Sequence, residues 1–407
     1  MNLLIVEYVS GGGYGDQKIS SSILSEGYGM LRSLISDCKT AGHNVTTLLD
    51  SRLKEFSPPN QADNAIYVAS PTELLTKLKE HSSAADGTYV IAPESNQVLE
   101  KLVESIEDSG GTSLNCSVDA IKRVSNKMKA YETLKKTGLK VPETVLLNIN
   151  EKIGTIKQIT KELGHPLVVK PLDGVGCDGI SIIEDEDAIA DATKKVAHES
   201  SNKQCIAQTM IRGKASSVCV MSTGDKVVAI TLNSQFVTLG TPDEESGYLG
   251  GVVPFDHVLE KEALRAAEKA VEAVRGLRGY VGVDMILTDE EPVVMEINPR
   301  LTTSYIGLRR VANFNPAETI IDATINQKLP KNVTHRGFSF FSKVEFPPRP
   351  QILAETYKLE NVVSPPFPIE NKTAYALIAA TSTSPEGAEV AFHCTKDCLL
   401  KLYSRGD

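Results

Sequence analysis

No stretch of this sequence approaches the ~18–20 consecutive apolar residues that a membrane-crossing helix needs, so no membrane partner is expected. Positive charge is also in deficit: 43 Lys and Arg face 52 Asp and Glu, a formal net charge of −9. That balance argues against a general affinity for nucleic-acid backbones, and no nucleic-acid partner is expected. Cysteine is sparse and scattered, at positions 38, 116, 177, 205, 219, 394 and 398, with no C-x-x-C pair and an odd count. A disulfide framework is therefore not indicated, and a reduced, cytoplasmic setting is the natural reading. Cys394 and Cys398 lack the further ligands of a zinc site, and the seven histidines neither cluster nor form H-E-x-x-H. Residues 1–9 hold an apolar run too short, and too acidic at Glu7, for a secretory signal; they read as a first buried strand. No internal repeat is present.

What remains is a soluble-type composition spread over 407 residues, too many for one ordinary core. Residues 1–117 alternate strand-like and helix-like segments, with strand patterns at 3–9, 44–50, 65–69 and 89–92 and helical spacing at 24–41, 71–81 and 95–109. Such alternation implies parallel strands joined by helical crossovers, an open α/β sheet. From residue 118 to about 330 helices and strands mix: caps at Asp119 and Ser125, a helix ending at Gly138, strands at 143–147, 167–170, 179–184, 205–211, 218–221 and 226–234, and a helix at 260–275. Residues 331–407 change character. The segment F-P-P-R-P at 346–350 excludes a long helix or central strand there, while 373–380 and 390–393 have strand patterns, so a small β-rich appendage is expected.

Chemistry concentrates first at residues 281–300. A hairpin centred on Glu290 sets Asp284 directly opposite Glu296, with Asn298 on the same face by strand alternation. The opposite face would carry Val283, Met285, Leu287, Val293, Met295 and Ile297, all apolar and suited to a core. Two carboxylates and an amide oxygen form a plausible seat for Mg²⁺, which prefers oxygen ligands and shares its shell with substrate phosphates. An exposed acidic hairpin is the plain alternative. Arg300, next to this strand, could hold a carboxylate or developing acyl phosphate, or form a structural ion pair.

The second concentration is Gly174-Val175-Gly176-Cys177-Asp178-Gly179, a G-x-G-x-x-G that runs into the strand pattern Ile180-Ser181-Ile182-Ile183 rather than into a helix. A dinucleotide fingerprint requires strand then helix, so a dehydrogenase is disfavoured. The remaining reading is a strand–loop–strand flap whose backbone N–H groups cover phosphates, against a plain hairpin loop. Lys170, at the end of the preceding strand, can aim at phosphates under that flap, and Lys127 is a second candidate cation. Residues 233–254, with Gly247-Tyr248-Leu249-Gly250-Gly251, read as a substrate lid or as an inconsequential surface loop.

The order of these elements resembles the ATP-grasp superfamily. Lys127, Lys170, the flap, Gln208-x-x-Ile211-x-Gly213-x-x-Ser216-Ser217-Val218, Val283-Asp284 and Glu296-Ile297-Asn298-Pro299-Arg300 occur in the family's sequence across residues 118–325. The resemblance implies an ATP-grasp fold of two α+β subdomains at 118–330, following the α/β domain of 1–117. It implies ATP between the subdomains: Lys127 and Lys170 on its phosphates, Gly174, Gly176 and Gly179 over them, and Gln208 and Ile211 along the adenine. Asp284, Glu296 and Asn298 would hold Mg²⁺, with Mn²⁺ as an alternative, and Arg300 and Lys170 would serve the reacting groups. The implied activity is an ADP-forming carboxylate–amine ligase working through an acyl phosphate on small-molecule substrates, with a homo-oligomer left open. The family's usual ribose-binding glutamate is replaced by Ala215. More narrowly, the segments at 7–13, 24–31 and 296–305 are similar to the archaeal tyramine–glutamate ligases of methanofuran biosynthesis. Other ATP-grasp amino-acid or cofactor-biosynthesis ligases, a kinase-like phosphoryl transferase and a non-catalytic nucleotide-binding protein are the rivals.

Overall fold

The computed structural model describes residues 1–174, 176–200, 202–370 and 372–404; Val175 of the glycine segment lies outside them. Strands β1 (Asn2–Glu7), β2 (Asn44–Asp50), β3 (Asn64–Val68) and β4 (Gly87–Ile91) form a parallel sheet in the order β3-β2-β1-β4. Parallel pairing demands crossovers, supplied by helices α1 (Ser21–Thr40) and α2 (Pro71–Ser82), with α3 (Val98–Asp108) after β4. Helix α1 buries Leu24, Tyr28, Leu31, Ile35 and Cys38, a three-and-four spacing that holds one face on the core. Its glycines are there for contact rather than flexibility. A Cβ on Gly27 would stand 2.5 Å from Glu7 Oε2, and one on Gly29 2.7 Å from Leu377 Cδ2. The helix is thus clamped between the first sheet and the C-terminal strands.

Helices α4 (Val118–Ser125) and α5 (Lys127–Lys136) follow. Their capping side chains are Ser117 and Asn126 rather than the expected Asp119 and Ser125. A four-stranded antiparallel sheet then forms from β5 (Thr144–Asn148), β6 (Leu167–Pro171), β7 (Ser181–Ile183) and β8 (Gln204–Thr209), in the order β5-β8-β6-β7. Helices α6 (Ile153–Thr160) and α7 (Ile189–Glu199) cover it over a core of its own that includes Leu147, Ile156, Val169, Ile189 and Val196.

The largest sheet has eight strands: β9 (Lys214–Thr223), β10 (Val227–Thr238), β11 (Gly247–Val253), β12 (Arg278–Leu287), β13 (Pro292–Asn298), β14 (Phe338–Phe346), β15 (Val362–Ser364) and β16 (Ala374–Ser382). Its order is β13-β12-β9-β10-β11-β14-β16-β15, antiparallel throughout. Helix α8 (Glu260–Glu272) lies on it through Ala263, Ala267, Ala270 and Val271. The C-terminal region is β-rich, as expected, but its strands continue the central sheet because β14 pairs with β11. Two local expectations fail. Residues 390–393 belong to the helix Pro385–Ser404, in which Ala388, Phe392, Thr395, Leu399 and Tyr403 are buried at helical spacing. Most of 233–254 is not a loop but the paired strands β10 and β11. Among the described residues no helix is long and apolar enough to cross a membrane.

Candidate active site

A cavity of about 280 Å³ lies between the four-stranded sheet and the central sheet. Its walls bring together Lys127, Lys170, Gly174, Gly176, Gln208, Ile211, Asp284, Glu296, Asn298 and Arg300, drawn from positions as far apart as 127 and 300. Of the expected site residues, only Gly179 stands outside the lining. It sits at φ +70°, where a Cβ would fall 2.8 Å from Pro171 Cγ, so it shapes the flap from behind.

The hairpin provides the acidic floor. Asp284 pairs directly with Glu296, but the register shifts immediately afterwards, so that Met285 pairs with Val294 and Met295 is the extra residue. A β-bulge turns two successive side chains toward one face. Val294 therefore enters the core, and Met295 faces the cavity beside Glu296, reversing the expected placement of Met295. The rest of the predicted apolar face, Val283, Met285, Leu287, Val293 and Ile297, is buried as expected.

The carboxylates are crowded and held. Asn298 Nδ2 donates to Asp284 Oδ2 at 2.9 Å, and Gln235 Nε2 donates to Asp284 Oδ1 at 3.0 Å. Lys127 Nζ lies 2.6 Å from Glu296 Oε1. Burial, then the neighbouring Glu296, pushes the Asp284 carboxyl up to about 6, while the Asn298 and Gln235 hydrogen bonds resist. Burial works in the same direction on Glu296, yet Lys127 and Lys170 more than offset it and hold that carboxyl below its usual value. Burial drives the Lys170 ammonium down to about 8, with Glu296 opposing and Lys127 adding to the fall. Among the described residues no group of three or more His, Cys, Asp or Glu side chains could hold a metal, so a cation here would depend on two carboxylates and the Asn298 amide. That donor set fits Mg²⁺: all ligands are oxygens, and a divalent ion would counter both the burial and the Glu296 repulsion that raise Asp284.

Strands β6 and β7 pair from Leu167–Ile183 to Val169–Ser181, so the glycine segment does join two antiparallel strands. Cys177 within it adopts φ +73°, a left-handed conformation unusual for a non-glycine residue. Gln208 is buried on β8 and borders the cavity; its Nε2 donates to Thr144 Oγ1 at 2.9 Å, while its buried Oε1 has no partner among the described residues. A buried acceptor without a donor is costly, and an incoming N–H group would satisfy it. Arg300 forms the ion pair foreseen for it and also borders the cavity. Its guanidinium lines the cavity, and its Nε donates at 3.0 Å to Glu94, a buried carboxylate on the segment after β4. Burial alone would lower the Arg300 pKa, but Glu94 holds it above the usual value.

Gln235, Glu26, Asp178 and Tyr248 also line the cavity. Sequence reasoning had Asp178 only as part of the flap segment, and Gln235 and Tyr248 only as part of the 233–254 segment read as a lid, and assigned none of the four a role of its own. Gln235 shares a strand with Asn233, but the strand was expected to stop at residue 234. Glu26 sits on α1 and reaches the cavity only through packing between the first and central sheets.

Residues 124–304 match the model of the ATP-grasp domain, and residues 43–121 match that of the pre ATP-grasp 3 domain. The chain is 28% identical to the tyramine–L-glutamate ligase of Methanocaldococcus fervens over 339 residues, covering 83% of this chain and 99% of that protein. Its structure is similar to an ATP-grasp superfamily protein from Archaeoglobus fulgidus (TM-score 0.63, 22% identity, 93% of this chain and 99% of that one). It is also similar to the biotin carboxylase of Campylobacter jejuni in its β,γ-ATP complex (TM-score 0.71, 16% identity, 96% and 90% covered).

Proposed function

From the premise that the chain belongs to the ATP-grasp superfamily and is an ATP-dependent carboxylate–amine ligase, we propose that it joins the γ-carboxylate of L-glutamate to the amine of tyramine. The observation that carries the reading is the convergence of Lys127, Lys170, Asp284, Glu296 and Asn298 on one cavity roofed by the glycine flap. The substrate pair is that of the Methanocaldococcus relative, supported by coverage of 99% of that protein.

In this reading Lys127 and Lys170 bind the phosphates, and Gly174 and Gly176 let the flap backbone approach them. Gln208 Oε1 accepts from the adenine amino group, with Ile211 alongside. Asp284, Glu296 and Asn298 would hold Mg²⁺, whose charge would neutralise that of the phosphates. Lys127 then exchanges its contact with Glu296 for one with phosphate. The substrate carboxylate oxygen attacks the γ-phosphorus and ADP leaves. The amine nitrogen then attacks the acyl carbon, and phosphate departs with the loss of one amine proton. Arg300, fixed by Glu94, faces the carboxylate being activated. Positioning and charge stabilisation supply the acceleration, since no enzyme nucleophile is required. Exclusion of water under the flap protects the acyl phosphate.

ADP release from Mg-ATP and L-glutamate, with and without tyramine, tests this together with the product mass. Tyramine-dependent release with a glutamyl-tyramine mass supports the whole reading. Release without any amine makes the chain a phosphoryl transferase, and ATP binding without release removes the substrate pair.

A further inference from the structure

Glu26, on α1, lines the cavity and forms a largely buried ion pair with Lys343 of β14, which stands behind it; the nucleotide reading leaves the pair without a role. Lys343 Nζ lies 2.5 Å from Glu26 Oε1 and donates to Ser22 Oγ at 2.9 Å; Thr303 Oγ1 donates to Glu26 Oε2 at 3.0 Å. The Lys343 and Glu26 side chains are 9% and 22% exposed, and Glu26 and Thr303 line the cavity with Asp284 and Arg300. Tyr248, in the same lining, lies within electrostatic reach of both Glu26 and Asp284, so Glu26 and the acidic hairpin share one space.

Three separate parts of the chain meet here: α1, the segment after β13, and β14. The geometry is stiff. Gly27 and Gly29 allow α1 to press against the Glu7 carboxylate and Leu377, which fixes the position from which Glu26 projects. A buried ion pair is weak grounds for stability, because desolvation of two charges consumes most of their attraction. The placement of Glu26 in the cavity wall, with Lys343 directly against it, fits recognition better. Among the described residues each Glu26 oxygen accepts one hydrogen bond and keeps a lone pair, and Lys343 has one ammonium hydrogen left.

The geometry points to Glu26 and Lys343 as the specificity pair that reads the zwitterionic head of an α-amino acid, the ammonium on Glu26 and the α-carboxylate on Lys343. This rests on the ligase reading, and it names the carboxylate donor as an amino acid with a second, side-chain carboxylate. The free pair neutralises itself; the zwitterion replaces each partner with an equivalent opposite charge, so no bare charge is buried on binding. A plain diacid lacks the ammonium and would leave Glu26 unanswered, and an ω-amino acid lacking the α-carboxylate would leave Lys343 unanswered. The surroundings favour the ammonium side: Asp178, pushed up to about 6 by burial and then by Glu199, Glu245 and Glu26, adds negative potential.

Isothermal titration of the full chain with Mg²⁺ and a non-hydrolysable ATP analogue tests the pair. The probes are L-glutamate and L-aspartate, each against its diacid (glutarate, succinate) and its decarboxylated form (4-aminobutyrate, 3-aminopropanoate). One amino acid should bind at least about tenfold tighter than both of its stripped forms, the scale of a charged hydrogen bond. Glu26→Gln should abolish the preference over the diacid, and Lys343→Met the preference over the decarboxylated form. A merely structural pair would shift all affinities together and leave these ratios alone. Where one charge left bare unfolds a single variant, the double variant Glu26→Gln with Lys343→Met removes both and should lose both preferences. Unchanged ratios overturn the inference, as does a Glu26→Gln effect confined to the KM of the amine. So does nucleotide binding with no amino acid preferred. Failure of the nucleotide analogue to bind would instead remove the ligase reading on which the inference stands.

Discussion

Lys127 and Glu296, 169 residues apart in sequence, are joined by a contact of 2.6 Å between Nζ and Oε1. The first residue of α5 and the edge strand of the central sheet are thereby linked beside the cavity, and the cation proposed to bind phosphate occupies the carboxylate proposed to bind the metal. For Lys127 to hold phosphate and for Glu296 to help hold a cation, this contact would have to open.

Glu296→Ala should abolish Mg²⁺-dependent ADP formation, by at least about a hundredfold on the scale of losing one transition-state electrostatic group. The fold should persist, because Glu296 borders a cavity rather than filling a core. Steady-state assays beside a thermal melt check this. Normal turnover in a folded variant would remove Glu296 from the metal site.

Lys170 carries a pH dependence. Its ammonium is lowered to about 8 in the ligand-free site, chiefly by burial. Below that pH the charged form is available to phosphate; above it, binding must first bring a proton in. Affinity for metal-free ATP should therefore decline as pH rises through about 8, with proton uptake on binding. Titrations in buffers of different ionisation enthalpy would detect the uptake. In Lys170→Ala the uptake should vanish and the affinity should drop.

Arg300→Met leaves the buried Glu94 carboxylate without its cation, which costs about 3–5 kcal/mol when a buried pair is broken from one side. The double variant with Glu94→Gln should recover most of that stability by denaturant unfolding. If Arg300 also engages the substrate, activity stays low in the double variant; recovered activity would make the arginine purely structural.

Gly27→Ala sets two magnitudes against each other. Alanine gains up to about 1 kcal/mol of helix propensity, but its Cβ would meet a Glu7 carboxylate pinned by Val9 N, Ser10 N and Ser10 Oγ. Overpacking at a site that cannot relax costs about 1–3 kcal/mol, so the variant should be less stable. Gly154, in α6, has only open space within 4 Å of where an alanine Cβ would stand, and Gly154→Ala should be stabilising. Urea midpoints of the two variants should move in opposite directions.

The sequence by itself determined the elements and much of the constellation. Alternation of short apolar strands with helical segments is a local signal, and it yielded the parallel sheet of β1 to β4 because each crossover helix lies between the strands it joins. The opposition of Asp284 and Glu296 was legible for the same reason: a short hairpin fixes its own register. The bulge at Met295 was not legible, since it depends on what packs against β13. Residues 390–393 looked like a strand because four residues carry no decisive period, and only burial against β14 and β16 made them helical. Tertiary structure alone decided that Glu26, Lys343 and Thr303 meet, and that Arg300 finds Glu94. Those contacts join residues tens to hundreds of positions apart, and no periodicity encodes which distant surfaces will bury one another.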